Sequence, residues 1–146
     1  MSAKGLFLPA DLASQMRLHA QQGAPEEVCG LVGGQAGRAM RVIAVENCLH
    51  SPVRFRMDAA AQLQAMLDIE AAGLEMLAIY HSHPQGPPVP SPTDVAEFAY
   101  PGVLTLIWSP GAEPGWQVRA FEIGPAGSAE VGLYIGSLED LAPPEA

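Results

Sequence analysis

Large apolar residues recur along the chain with two different spacings. Two segments, 9–22 and 59–72, space them as one face of a helix does. These residues are Leu12, Met16 and Leu18 in the first segment and Leu63, Met66 and Leu67 in the second. Asp58 is a good N-cap for the second helix, and Gly73 suits the position just after its end. The pattern therefore predicts two amphipathic helices.

Short apolar runs between turn residues predict strands. They cover residues 28–34, 39–48, 53–57, 75–82, 103–108, 116–123 and 130–135. The stretch 84–92 contains too many prolines for regular structure. Ser91-Pro92-Thr93-Asp94, which ends it, has the cap, proline and acid of a third helix start. Strands mixed with about three helices predict a layered α/β or α+β fold.

Length and composition indicate one domain. A chain of 146 residues with 49% hydrophobic residues can build one sizeable core. We expect that domain to cover residues 1–137 and residues 138–146 to form a frayed tail.

Charge and cysteine content exclude several classes of partner. A net charge of -9 disfavours nucleic acid and anionic membranes. No apolar run is long enough for a signal peptide core or a membrane span. The two cysteines, Cys29 and Cys48, are too few for a disulfide framework and indicate a reducing compartment. The sequence thus predicts a cytoplasmic protein.

The stretch His81-Ser82-His83 carries the candidate chemistry. Side chains two apart in a strand leave from the same face, so both imidazoles can meet one metal ion. Asp94 follows in the first turn of the third helix, where it can supply an oxygen ligand. Two nitrogens and one oxygen suit zinc and leave a fourth position for water.

An open zinc site of this kind predicts hydrolysis. Zinc lowers the pKa of its water to about 7. The reaction also needs a carboxylate near that water as general base, and a donor for the oxyanion. Ser91 lies close to the ligands in sequence and can donate.

The pattern His-x-His, seven residues, Ser-x-x-Asp resembles the signature of the JAMM, or MPN-plus, metallopeptidases. It is written here HSHPQGPPVPSPTD. Upstream, PEEVCGLVG at residues 25–33 is similar to the segment that carries a glutamate in compact prokaryotic members. The resemblance implies Glu27 as general acid/base, and Ser91 as the residue that stabilises the oxyanion. It also implies His81, His83 and Asp94 as the ligands of one zinc ion.

The resemblance extends over roughly residues 6–123, including Asn47 and the segments 51–58 and 77–81. It implies the MPN fold, a curved mixed sheet flanked by helices with layering like that of cytidine deaminases. It also implies cleavage of an amide or isopeptide bond after the C-terminal Gly-Gly tail of a ubiquitin-like or sulfur-carrier protein. One departure is Pro88, where many relatives have alanine.

Structural roles without chemistry compete for the same residues. Ser91 and Asp94 also suit a helix cap, and Glu27 beside Glu26 also suits a solvated turn. The remaining polar or reactive residues favour ordinary roles. We expect Cys29 and Tyr80 to pack, Cys48 to be inert and His50 to lie in a surface loop. Asn47 with residues 54–56 either helps to seat a substrate strand or, as the default, forms a strand with an exposed polar face.

Two other classes of protein remain as alternatives. A non-catalytic MPN scaffold would generally lack the ligand residues that are present here. A zinc deaminase would need a His-x-Glu motif with a Pro-Cys-x-x-Cys motif, and the sequence has neither.

Overall fold

The structure is a computed structural model that describes residues 5–111 and 115–137. Within these residues the chain forms seven strands and three helices. In chain order they are β1 (Gly5–Pro9), α1 (Ala10–Gly23), β2 (Cys29–Gln35), β3 (Arg38–Val45), α2 (Ala59–Ala71), β4 (Glu75–Ser82), α3 (Pro92–Glu97), β5 (Leu104–Pro110), β6 (Trp116–Gly124) and β7 (Gly127–Gly136). The tail expected at residues 138–146 lies outside the described residues.

The strands form one mixed sheet that closes on itself in the order β1-β3-β2-β4-β5-β6-β7. β1 closes it by pairing in parallel with both β3 and β7. β4 and β5 are also parallel, whereas the other neighbours run antiparallel. A mixed sheet with three helices confirms the layered α+β prediction. β4 lies between β2 and β5, so its backbone is paired on both edges, and its last five residues, 78–82, are buried.

Hydrophobic residues pack into two clusters, one beside α1 and one beside α2. In α1, Leu12 and Met16 are buried as predicted, but Leu18 is 53% exposed.

The prediction that Leu63 and Leu67 lie on the buried face of α2 is wrong. Leu63 and Leu67 are 59% and 47% exposed, whereas Ala65 and Ile69 are buried. Ile69 lies over Gly33, where an added β-carbon would sit 3.0 Å from the Ile69 side chain. The helix therefore lies so close to the sheet that its contact face is formed by Ala65 and Ile69 and not by the leucines.

Two strand predictions need correction. Residues 53–57 are not a strand and make only an isolated bridge between Asn47 and Met57. The reason is that the Asn47 side chain binds backbone groups of Arg54 and Arg56 that a β-ladder would otherwise use. Sequence reasoning also missed β1, which has five residues and ends at Pro9.

The predicted helix caps are present. Asp58 accepts a hydrogen bond from the Ala61 amide at 3.0 Å, and Gly73 follows α2 with a φ of 76°. Positive φ is costly for residues with a β-carbon, which explains glycine at this helix end. Across the described residues, no helix combines the length and the apolar character needed to cross a bilayer.

Candidate metal centre

The two histidines lie at the end of β4, in the middle of the sheet. His81 pairs with Cys29 of β2 and with Ile107 of β5, and the His83 amide donates to the Trp108 carbonyl at 2.7 Å. Both side chains are buried, and their Nε2 atoms lie 3.1 Å apart. The spacing of two along the strand therefore brings both imidazoles to one point, as predicted.

Asp94 reaches the same point from the first turn of α3. Its Oδ2 lies 3.2 Å from His81 Nε2 and 3.0 Å from His83 Nε2. The Ser91 amide donates to this oxygen at 2.8 Å, and the Ser91 hydroxyl accepts from the Asp94 amide at 3.0 Å. The capping box is thus present, and it holds Asp94 against the histidines rather than competing with that role.

The hydrogen bonding of His83 leaves an electron-rich centre. His83 Nδ1 donates to the Pro87 carbonyl at 2.8 Å, so in the neutral ring Nε2 carries a lone pair. That lone pair faces a carboxylate oxygen and a second imidazole nitrogen within 3.2 Å. Atoms of this kind stay together only with a proton or a metal cation between them.

The electrostatics of the three residues fit that need for positive charge. Burial opposes ionisation of Asp94, but its hydrogen bonds with both histidines outweigh this and hold its pKa far below the usual range. Burial also lowers the pKa of His81. Burial also favours a lower pKa for His83. Its hydrogen bonds with Asp94 and Pro87 outweigh burial, and the pKa of His83 is raised. A carboxylate that stays ionised is ready to ligate a metal.

Glu27 lies beside this centre and is not the solvated turn of the alternative interpretation. It is 4% exposed, and its carboxylate and the two histidines lie within 4.8 Å of one another. Burial raises its pKa to about 8, with His83 opposing and Asp94 adding to the effect. Among the described residues its Oε1 has no hydrogen-bond partner. A bound cation nearby would lower this pKa.

The donor set fits a zinc ion. Ligands about 2.0–2.1 Å from a tetrahedral zinc lie about 3.3 Å from one another. The three atoms of His81, His83 and Asp94 are separated by 3.0 to 3.2 Å, close to that value. The orphaned Glu27 carboxylate oxygen is a fourth polar atom that no other described residue satisfies. The group can therefore hold a metal ion.

A cavity of about 330 Å³ adjoins the centre, with His81 and Asp94 in its wall. Its other walls include residues 54–57, Gln62 and residues 97–100. Phe55 lines it and stacks on the His81 ring with centroids 4.5 Å apart. A substrate segment entering this cavity would lie next to the candidate metal position.

Sequence reasoning missed Ser82 and gave Phe55 no role beyond that of the segment 54–56. Ser82, between the histidines, accepts a hydrogen bond from the Val28 amide at 2.8 Å and so fixes the residue after Glu27. Phe55 lines the cavity and packs on His81. The position of Ser82 inside the His-x-His motif was a usable signal, whereas nothing local marks Phe55.

Cys29, Tyr80 and His50 take the ordinary roles expected of them, whereas Asn47 is buried and residues 54–56 do not form the expected strand with an exposed polar face. Cys29 is buried, its thiol donates to the Val45 carbonyl at 3.3 Å, and burial raises its pKa to about 12. Tyr80 is 1% exposed and shares a 2.8 Å hydrogen bond with His19. His50 lies on an exposed loop between Glu26 and Glu46.

Comparison with known proteins agrees with this geometry. Residues 9–123 match the family described as prokaryotic homologs of the JAB domain. The chain is 37% identical over 131 residues to a "Probable TtuB-protein conjugate cleaving protease" of Thermus thermophilus, covering 89% of this chain and 82% of that protein. It is 36% identical over 117 residues to a "Desampylase" of Haloferax volcanii, covering 75% and 84%. It is 32% identical over 120 residues to a "CysO-cysteine peptidase" of Mycobacterium tuberculosis, covering 81% and 82%.

Solved structures share the fold. A solution structure from Desulfitobacterium hafniense has a TM-score of 0.80 at 34% identity, covering 90% of this chain and 93% of that one. A JAB1/MPN domain protein from Archaeoglobus fulgidus has a TM-score of 0.60 at 19% identity, covering 90% and 97%. The second likeness shows the fold alone, which is the MPN fold that the sequence predicted. The match over residues 9–123 shows that the chain belongs to the family of prokaryotic homologs of the JAB domain.

Proposed function

We propose that this protein is a zinc-dependent peptidase that hydrolyses an amide or isopeptide bond after the C-terminal tail of a ubiquitin-like or sulfur-carrier protein. The observation that carries the proposal is the meeting of His81, His83 and Asp94 within 3.2 Å, with the buried Glu27 beside them. A purely structural cap would need only Ser91 and Asp94. The two buried imidazoles facing one carboxylate oxygen need positive charge between them, and a metal ion supplies it.

The three ligand side chains would hold one zinc ion through His81 Nε2, His83 Nε2 and Asp94 Oδ2. When bound, zinc polarises the scissile carbonyl and makes a water nucleophilic at neutral pH. The Pro87 carbonyl fixes the His83 tautomer, and the Ser91 amide fixes the Asp94 carboxylate. Such outer partners orient metal ligands in many sites.

Glu27 is the proposed general acid and base. Its Oε1 has no partner among the described residues, so it is free to accept a proton from the attacking water. It then returns that proton to the leaving amine. Burial raises its pKa and a bound cation would lower it again, so the two effects together keep both its acid and its base form within reach near neutral pH.

Ser91 is the proposed oxyanion donor. Its hydroxyl oxygen already accepts from the Asp94 amide, so the hydroxyl proton remains to be donated. One such donor contributes about 10²–10³ in rate in other hydrolases.

The substrate class follows from the relatives, whose names describe conjugates of TtuB and CysO and the removal of such modifiers. We propose a Gly-Gly end for the tail, as the resemblance to the JAMM metallopeptidases implies. The two free cysteines support a reducing, cytoplasmic location.

Cleavage of defined conjugates tests this function. TtuB and CysO, each ending in Gly-Gly joined to cysteine or to a reporter peptide, are incubated with zinc-loaded protein and analysed by mass spectrometry. We expect release of the group after the second glycine by wild type, and none by Glu27→Gln with normal zinc content. Absence of cleavage of all four conjugates, or equal cleavage by Glu27→Gln, would overturn the proposal.

A further inference from the structure

The Asn47 side chain is buried, at 7% exposed, and makes four hydrogen bonds to the main chain. Its Nδ2 donates to the carbonyls of Glu27 and Arg54, both at 3.0 Å. Its Oδ1 accepts from the amides of Leu49 at 3.1 Å and Arg56 at 3.0 Å. Two carbonyls face one end of the side-chain amide and two N–H groups face the other, so only an amide satisfies all four.

These bonds join two parts of the candidate site that are remote in sequence. Glu27 carries the proposed proton-transfer group, and residues 54–57 form one wall of the cavity beside the metal position. The Glu27 amide donates to the Ser51 carbonyl at 2.8 Å, so both backbone polar groups of Glu27 are held by the loop that follows β3. The loop itself has little regular structure to hold its shape.

The Glu27 side chain needs this support from its backbone. Its Oε1 has no hydrogen-bond partner among the described residues, so that atom is not fixed by a side-chain contact. The carboxylate is therefore placed by where the Glu27 backbone lies. An error of about 1 Å in a reacting group can cost about 10²-fold in rate.

We propose that Asn47 is a positioning residue that fixes Glu27 for proton transfer and ties it to the 54–57 wall of the cavity. The inference rests on the proposed function for its kinetic readout, but it makes a structural claim that does not need a substrate. Within the described part of the chain, the four side-chain hydrogen bonds of Asn47 go to main-chain groups and none goes to His81, His83 or Asp94, so zinc binding should not depend on it.

Two variants separate the lost hydrogen bonds from an added charge. Asn47→Asp keeps the shape and replaces both donors by an oxygen, and Asn47→Leu removes all polar groups without adding charge. The matched control is Gln35→Glu, since Gln35 Nε2 also donates to a main-chain carbonyl, that of Gly73, at 3.0 Å. Met16→Ala, in the cluster beside α1, controls for general destabilisation.

With the cleavable conjugates above, we expect both Asn47 variants to keep full zinc content and to lower kcat about 10- to 100-fold, with a smaller rise in KM. Gln35→Glu and Met16→Ala should keep wild-type kcat well below their melting temperatures. A rise in KM with unchanged kcat would assign Asn47 to the cavity wall alone and overturn the positioning role.

Hydrogen exchange supplies the readout that is independent of activity. In Asn47→Asp, peptides covering residues 26–29 and 54–57 should exchange faster, while those from α1 and β6 should not change. Equal exchange in wild type and variant at residues 26–29 would overturn the inference even if no conjugate is cleaved. If the wild-type protein cleaves no conjugate, the proposed function is contradicted. The exchange at residues 26–29 then still decides whether Asn47 holds the Glu27 backbone.

Discussion

Ser82 accepts a hydrogen bond from the Val28 amide at 2.8 Å, and its own amide donates to the Val28 carbonyl at 3.0 Å. This pair of bonds connects the strand of the two histidines directly to the segment that carries Glu27. Ser82 is 0% exposed, so water cannot replace its hydroxyl. The residue between the two candidate ligands thus sets the distance between the metal position and the proposed base.

Removing this hydroxyl should destabilise the fold. Ser82→Ala leaves the buried Val28 amide without its partner, which costs about 1–3 kcal/mol. Ser109→Ala is a matched control, because Ser109 is also buried but its hydroxyl has no partner among the described residues. Urea unfolding should show a loss for Ser82→Ala and a change within about 0.5 kcal/mol for Ser109→Ala. Equal effects would mean that the Val28 bond contributes nothing.

Gly30 should not tolerate a β-carbon. An added β-carbon would collide with Tyr80 Cε2 and with the Ile43 carbonyl oxygen, one on each side of β2. We expect Gly30→Ala to lower the free energy of unfolding by about 1–3 kcal/mol or more. Gly124→Ala, where nothing lies within 4 Å of the added atom, should be nearly neutral in the same thermal or urea unfolding measurement. Similar losses at both positions would contradict the close packing of β2.

His19 should make stability depend on pH. Burial lowers its pKa from 6.5, and its Nδ1 shares a 2.8 Å hydrogen bond with the Tyr80 hydroxyl. The unfolded chain therefore binds a proton more readily than the folded protein. This contribution to stability is present above pH 6.5 and is lost as pH falls through the lower folded-state value.

The comparison of wild type with His19→Gln isolates this contribution. The free energy of unfolding should fall more steeply for wild type than for His19→Gln between pH 7 and the acid range. Parallel curves for the two proteins would show that His19 titrates equally in the folded and unfolded chain. Tyr80→Phe, which keeps the buried ring and loses the hydroxyl, should flatten the dependence only in part.

Local spacing explains why the meeting of His81, His83 and Asp94 could be predicted. His81 and His83 share a face because of strand geometry, and Asp94 returns to them because its capping box begins α3. Glu27 is different, because what buries it lies far along the chain. Asn47 is 20 residues away, and the Ser82 hydroxyl that holds Val28 is 54 residues from it. Only the family resemblance identified Glu27 from sequence.

The errors have the same physical origin. Residues 53–57 have the composition of a strand, but the Asn47 side chain takes up the backbone groups of Arg54 and Arg56. The leucines of α2 have helical spacing, but the close approach at Gly33 selects the face of Ala65 and Ile69 instead. Both outcomes depend on tertiary contacts that periodicity does not encode.

Zinc should stabilise the folded protein through its ligands. A ligand present at 100 times its Kd adds about 2.7 kcal/mol of stability. We expect zinc to raise the Tm of wild type and of His50→Ala, whose imidazole lies on the surface between two glutamates. The rise should be absent in His83→Ala. A Tm increase that persists in His83→Ala, or disappears in His50→Ala, would place the metal elsewhere.

Anomalous diffraction at the zinc edge, from a crystal grown with zinc, tests the central claim most directly. The account predicts one strong peak bonded to His81 Nε2, His83 Nε2 and Asp94 Oδ2, with the Glu27 carboxylate beside it. No peak at that position, or a peak there with any of these three side chains turned away, would contradict it.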